Sequence, residues 1–118
     1  MKRILIVDDD GSVLEMLTRA LSTTYDVAVA RNGVEALAVV AEQPIDLLVT
    51  DYLMPSMTGD ELMLRLRELR PELKMLMVTG HGDVFDRERP DWWKDVHHLS
   101  KPFRIQTLRD TVAAIFAS

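Results

Sequence analysis

The run Leu48-Val49-Thr50-Asp51-Tyr52-Leu53-Met54-Pro55-Ser56-Met57-Thr58-Gly59 places one carboxylate, Asp51, where an apolar, strand-like stretch gives way to a loop bearing Pro and Gly. A carboxylate at the C-terminal end of a buried strand stands where open α/β sheets bind ligands, and it is a potential nucleophile. Two other places share the pattern: Asp8-Asp9-Asp10 follows the apolar run Ile4 to Val7, and Lys101-Pro102 follows a late strand-like segment. Thr79 offers a hydroxyl at a fourth strand end. Carboxylates crowded together cannot all ionise unless a cation sits among them. Oxygen-only donors favour a hard metal, and Mg²⁺ pairs one or two carboxylates with phosphate. With Lys101 as a compact positive charge, the set suits metal-assisted phosphoryl transfer, which asks mainly for positioning and charge neutralisation.

Regular elements must bring these groups to one edge. Arg3-Ile4-Leu5-Ile6-Val7-Asp8 is short, apolar and rich in β-branched residues, and reads as a fully buried strand. From Ser12 to Leu21, Val13, Leu14, Leu17 and Leu21 recur at three- and four-residue steps, predicting a helix that Asp10 or Ser12 can cap. Tyr25 to Ala30 reads as a second strand and Asn32-Gly33 as a turn. Val34, Leu37, Ala38 and Ala41 form a second helical stripe ending before Pro44. Ile45 to Thr50 is the third strand. Gly59 to Leu69 is the third helix, with Leu62, Leu66 and Leu69 on one face and Arg65, Arg67 and Arg70 on a solvated one. Leu73 to Thr79 is the fourth strand, with a Gly80-His81-Gly82 turn after it, and Val96 to Leu99 is a short fifth. Ile105, Leu108, Val112 and Ile115 mark a terminal helix. The methionines, Met63, Met75 and Met77 among them, read mostly as core filler.

Strands alternating with helices predict an α/β, doubly wound parallel sheet covered on both faces. The stretch from Asp83 to Asp95 should hold a fourth helix, but Pro90 sits in its middle and Trp92-Trp93 follow. An interior proline costs about 3 kcal/mol, so that helix is expected to be short, late-starting or absent. In a five-strand sheet of order 2-1-3-4-5 the first and third strands are neighbours. Asp8 and Asp9 would then stand beside Asp51.

The bulk properties remove other classes. At 118 residues the chain is one domain with a single core. A formal net charge of -5 and a pI near 5.1 argue against direct nucleic-acid binding, which needs a basic face. Cysteine is absent, so disulfides, thiolate metal sites and Cys nucleophiles are excluded. The start Met1-Lys2-Arg3 superficially mimics a signal peptide, but only Ile4 to Val7 are apolar before the aspartates, short of the roughly 7–15 residues such a segment needs. No segment approaches the roughly 18 apolar residues of a membrane span. A cytoplasmic location is expected.

Taken together, Asp8-Asp9, Asp51-Tyr52-Leu53-Met54-Pro55-x-Met57-x-Gly59, Val78-Thr79-Gly80 and Lys101-Pro102-Phe103 resemble the motif set of the response-regulator receiver domain, over essentially the whole chain. That resemblance implies a flavodoxin-like (βα)5 fold, a single receiver domain across 1–118 without an output domain, and a place in two-component signalling. It implies that Asp51 accepts a phosphoryl group from a phosphohistidine on a histidine kinase or histidine phosphotransfer protein. Asp9, Asp51 and the Leu53 carbonyl would bind Mg²⁺, with Asp8 acting largely through water. Thr79 and Lys101, with Gly80 and Leu53, would contact the phosphoryl group. Thr79 would pair with His98 as a conformational switch, at a position where the family usually has Tyr or Phe. An unknown downstream protein and a phosphorylation-dependent dimer are further expectations about partners.

Rival readings use the same residues. Ile6-Val7-Asp8-Asp9-Asp10-Gly11-Ser12 also fits a motif resembling the haloacid-dehalogenase phosphatases, with Asp8 as nucleophile and Asp10 as general acid. It lacks a further acidic strand end, since only Asp110, inside a helix, follows Lys101. An interaction module that takes no phosphate is a third reading, against which the full site set stands. A zinc site from His81, His97 and His98 is disfavoured because adjacent strand residues point to opposite faces.

Overall fold

The computed structural model describes residues 1–80 and 96–118. Five strands form one parallel sheet in the order β2-β1-β3-β4-β5: β1 (Arg3–Val7), β2 (Asp26–Ala30), β3 (Leu47–Asp51), β4 (Lys74–Thr79) and β5 (His97–Ser100). Among the described residues four helices cover it: α1 (Gly11–Leu21), α2 (Gly33–Glu42), α3 (Gly59–Leu69) and the terminal α4 (Ile105–Ala117). The doubly wound class and the strand order are as expected, with element ends moved by one or two residues. The expectation about Asp83 to Asp95, and the turn beyond Gly80, fall outside the described residues.

Alternation along the strands divides the core. Ile4, Ile6, Leu47, Val49, Leu76 and Val78 face α1 and α4, and pack on Leu14, Leu17, Leu108 and Val112. Leu5, Val7, Leu48, Met75 and Met77 face the other way, toward Ala36 and Val40 of α2 and Leu62, Met63 and Leu66 of α3. The central strands are apolar on both sides because both sides are covered. Asp10 caps α1: its carboxylate accepts from the Ser12 N–H at 2.8 Å, an arrangement that stabilises by about 1 kcal/mol.

Two inward faces differ from the sequence reading. In α2 the core takes Gly33, Ala36 and Val40, while Val34 is 68% exposed and Ala38 and Ala41 face solvent. This helix is apolar on nearly every side, so periodicity has no polar face to measure against. The buried side is the one whose small residues admit the sheet. In α3 the buried set is Leu62, Met63 and Leu66; Leu69, the last residue, is exposed, and Leu73 beyond the turn is buried. Asn32 is less a turn than a cap. Its side chain accepts from the Glu35 N–H at 2.9 Å and donates to the Glu35 carboxylate at 3.1 Å.

Candidate functional site

Register brings the acidic groups together. Val7 pairs with Thr50, so Asp8 leaves β1 directly beside Asp51 at the end of β3. Thr79 pairs with Ser100 across β4 and β5, which sets Lys101 one step past the sheet. The Lys101 N–H donates to the Thr79 carbonyl at 2.8 Å, extending the ladder to that point. The Lys101–Pro102 peptide is cis.

Carboxylate oxygens of Asp8, Asp9 and Asp51 all lie within 4.8 Å of one another. Asp8 is buried, Asp51 half-buried and Asp9 exposed, so the cluster runs from the sheet interior to its mouth. Lys101 Nζ stands 3.3 Å from Asp51 Oδ2 and 3.7 Å from Asp8 Oδ2. The other Asp51 oxygen, Oδ1, accepts from the Tyr52 N–H at 2.7 Å. Asp8 Oδ1 accepts from the Asp10 N–H at 2.9 Å. Burial raises the Asp8 carboxyl above its ordinary range, and the charges of Asp51 and Asp9 push the same way; the Asp10 N–H and Lys101 pull against them. Three carboxylates against one lysine leave net negative charge in a small, oxygen-only space. That fits a hard divalent cation such as Mg²⁺.

The surroundings explain how the loop after Asp51 holds its course. Thr50 is fully buried, and its hydroxyl donates to the Asp51 carbonyl at 3.0 Å. Met54 drops into the core, 8% exposed. Gly59 lies so close to the Asp51 carbonyl that a Cβ there would overlap it, and the Gly59 N–H donates to the Tyr52 carbonyl at 2.8 Å. Thr50, the Tyr52 N–H and the need for glycine at 59 were not singled out from sequence. A glycine opening an otherwise well-populated helix is the one signal that could have flagged the last.

Of the remaining expected residues, Thr79 is buried at its strand end and Gly80 is exposed beside Lys101. The Leu53 side chain is 48% exposed at the mouth. His98 is exposed on β5, paired with Met77, on the same sheet face as Thr79. His97 points the other way, so the two histidines do not share a metal, and His81 lies outside the described residues. The phosphatase reading loses its acid. Asp10 is engaged as the α1 cap, and Asp110 sits exposed on α4, accepting from Gln106 at 2.8 Å.

A family profile described as the response regulator receiver domain matches residues 4–113. The response regulator receiver protein CpdR of Brucella abortus is 39% identical over 109 residues, 92% of this chain and 91% of that one. Response regulator MprA of Mycobacterium avium is 39% identical over 115 residues, 96% of this chain but 50% of its own, so the chain spans about half the length of that relative. Among solved structures, the response regulator TrrA of Thermotoga maritima, in complex with Mg²⁺-BeF, superposes with a TM-score of 0.86 at 29% identity, over 98% of this chain and 99% of the other. The chemotaxis response regulator CheY4 of Vibrio cholerae gives a TM-score of 0.86 at 29% identity, over 98% of each chain.

Proposed function

The chain belongs to the response regulator receiver domain family, and from that premise we propose that Asp51 is its phosphoacceptor, charged by a histidine kinase or histidine phosphotransfer protein. The observation that carries this reading is the meeting of Asp8, Asp9 and Asp51 within 4.8 Å, with Lys101 at 3.3 Å from Asp51. A receiver of two-component signalling needs a nucleophilic carboxylate, a cation site beside it and a fixed positive charge, and these groups supply all three.

In the transfer, an Asp51 carboxylate oxygen bonds to phosphorus as the N–P bond of the donor phosphohistidine breaks. The electron pair stays on the imidazole nitrogen, and a mixed anhydride remains on Asp51. Asp9, Asp51 and the Leu53 carbonyl would hold Mg²⁺, with Asp8 acting largely through water. When bound, such an ion would supply charge neutralisation for the carboxylates and the phosphoryl group. Lys101 holds its ammonium within reach of both Asp8 and Asp51 and supplies a fixed positive charge to the phosphoryl oxygens. Thr79 and Gly80 offer a hydroxyl and a backbone N–H to the phosphoryl group.

On this reading the protein promotes its own phosphorylation and dephosphorylation, without being an enzyme that acts on a separate substrate. No helix among the described residues is long and apolar enough to cross a membrane, and a cytoplasmic site of action is part of the proposal. The output passes through whichever protein reads the switched surface around Thr79 and His98. Incubation with acetyl phosphate and Mg²⁺ should add one phosphoryl group to the wild-type protein and none to Asp51→Asn. Label retained in Asp51→Asn, or hydrolysis of phosphate esters that depends on Asp8, would overturn it.

A further inference from the structure

We propose that the contact between Met57 and Gly33 is a positioning device that fixes the β3–α3 loop, and with it the Leu53 carbonyl, for the cation. The proposal rests on the reading proposed above, in which the acidic cluster is a Mg²⁺ site and the Leu53 carbonyl one of its ligands. Residues 52–58 lie in no helix or strand, yet both ends of this loop are pinned. Asp51 belongs to the β3 ladder, and Gly59 is bonded back to Tyr52 at 2.8 Å. Met54 anchors the near half, buried beside the Thr50 hydroxyl, which stands 3.9 Å from its sulfur.

The far half turns on a strained residue. Ser56 has a φ of 71°, and the Met57 N–H donates to the Pro55 carbonyl at 2.8 Å across it. That is the tighter, disfavoured form of a three-residue turn. A side chain in that region persists only when its surroundings over-determine it. The surroundings here are Met57. Its side chain lies flat on the first residue of α2: a Cβ at Gly33 would overlap the Met57 sulfur and stand 3.1 Å from its Cβ and Cγ. Gly33 is itself held, because Asn32 before it caps α2 by accepting from the Glu35 N–H, and the Asn32 amide donates to the Glu35 carboxylate. Leu53 has no such support of its own, since its side chain is 48% exposed. Its carbonyl takes its direction from the backbone path between Met54 and the turn. One anchor fixes a point on that path; the second fixes its direction.

The test is calorimetric titration with Mg²⁺ of the wild type, Met57→Ala, Met57→Leu, Gly33→Ala and the Gly33→Ala/Met57→Ala double variant. Groups that orient metal ligands from behind typically change affinity by about 10–100-fold, and Met57→Ala should weaken Mg²⁺ toward the lower end of that range. Met57→Leu, close in volume, should restore it. Gly33→Ala should reproduce the Met57→Ala defect, and the double variant should be no worse than either single one, because both remove one contact. Backbone amide shifts of Tyr52 and Leu53 in metal-free protein should move alike in Met57→Ala and Gly33→Ala, with β2 unmoved. Unchanged Mg²⁺ affinity in Met57→Ala, additive losses in the double variant, or unmoved Leu53 shifts would each overturn the proposal. Failure of the wild type to bind Mg²⁺, or binding indifferent to Asp51→Asn, would instead strike the reading of the cluster; the metal-free shifts then judge the contact alone.

Discussion

Asp8 and Asp51 carry the same group at neighbouring strand ends, and burial divides their work. The Asp8 side chain is 3% exposed and the Asp51 side chain 15%, so Asp51 is the more accessible of the two, as the proposed phosphoacceptor has to be. Burial, ahead of repulsion from Asp51 and Asp9, raises the Asp8 pKa above the unfolded value of 3.8. The folded protein therefore binds that proton more tightly than the unfolded chain does. The stability from this group is full below the unfolded pKa and is lost as pH rises through the folded one. Asp8→Asn should flatten the fall in stability from roughly pH 4 upward in Mg²⁺-free urea titrations, and leave the variant more stable than wild type at neutral pH. Wild-type and variant curves of equal slope there would contradict it. Leu53 suggests a second outcome. An apolar side chain two residues after Asp51 cannot orient an attacking water, and orientation is a large part of such rate effects. Leu53→Asn should shorten the life of the aspartyl phosphate severalfold, read as loss of label after donor removal; an unchanged or slower loss refutes the argument.

At the scale of elements, the sequence was read well where a polar face gave contrast. In α4, Leu108, Val112 and Ile115 are buried as their spacing predicts, because Gln106, Arg109 and Asp110 mark the opposite side. In α2 no such contrast exists: of the predicted stripe Val34, Leu37, Ala38 and Ala41, only Leu37 packs against the core, and the other three face solvent. Val40 and Val34 now separate the two faces experimentally. Val40→Ala should cost about 2 kcal/mol by chemical denaturation, from two lost methyl groups and the space they leave, whereas Val34→Ala should stay within about 0.5 kcal/mol. Equal costs would return the core to the face read from sequence. The site itself was legible because each of its side chains ends a strand, where one-residue position decides everything. What supports it was not. The Met57–Gly33 contact joins residues distant in sequence, and the approach of Gly59 to Asp51 arises from the path of the loop between them; no local period encodes either.

For the molecule as a whole, the switch is expected to link the site to the face of the sheet on which Thr79 and His98 stand. By the receiver resemblance, activation would carry His98 inward as Thr79 turns toward the phosphoryl group, and that would bury an imidazole now exposed on β5. Ring NMR with and without beryllofluoride should show the His98 ring entering a new environment on activation; no change would remove His98 from the switch. The order β2-β1-β3-β4-β5 carries a last consequence. Asp8 follows β1 and Asp51 ends β3, two of the three strands with neighbours on both sides, but Lys101 follows an outer strand, β5, of four residues. Outer strands open by local fluctuations far more often than inner ones. In deuterated water the amides of Ile4–Val7 and Leu47–Asp51 should exchange only through global unfolding, and those of His97–Ser100 well before it. On that expectation each opening of β5 would withdraw the Lys101 ammonium from a cluster of three carboxylates that stays in place.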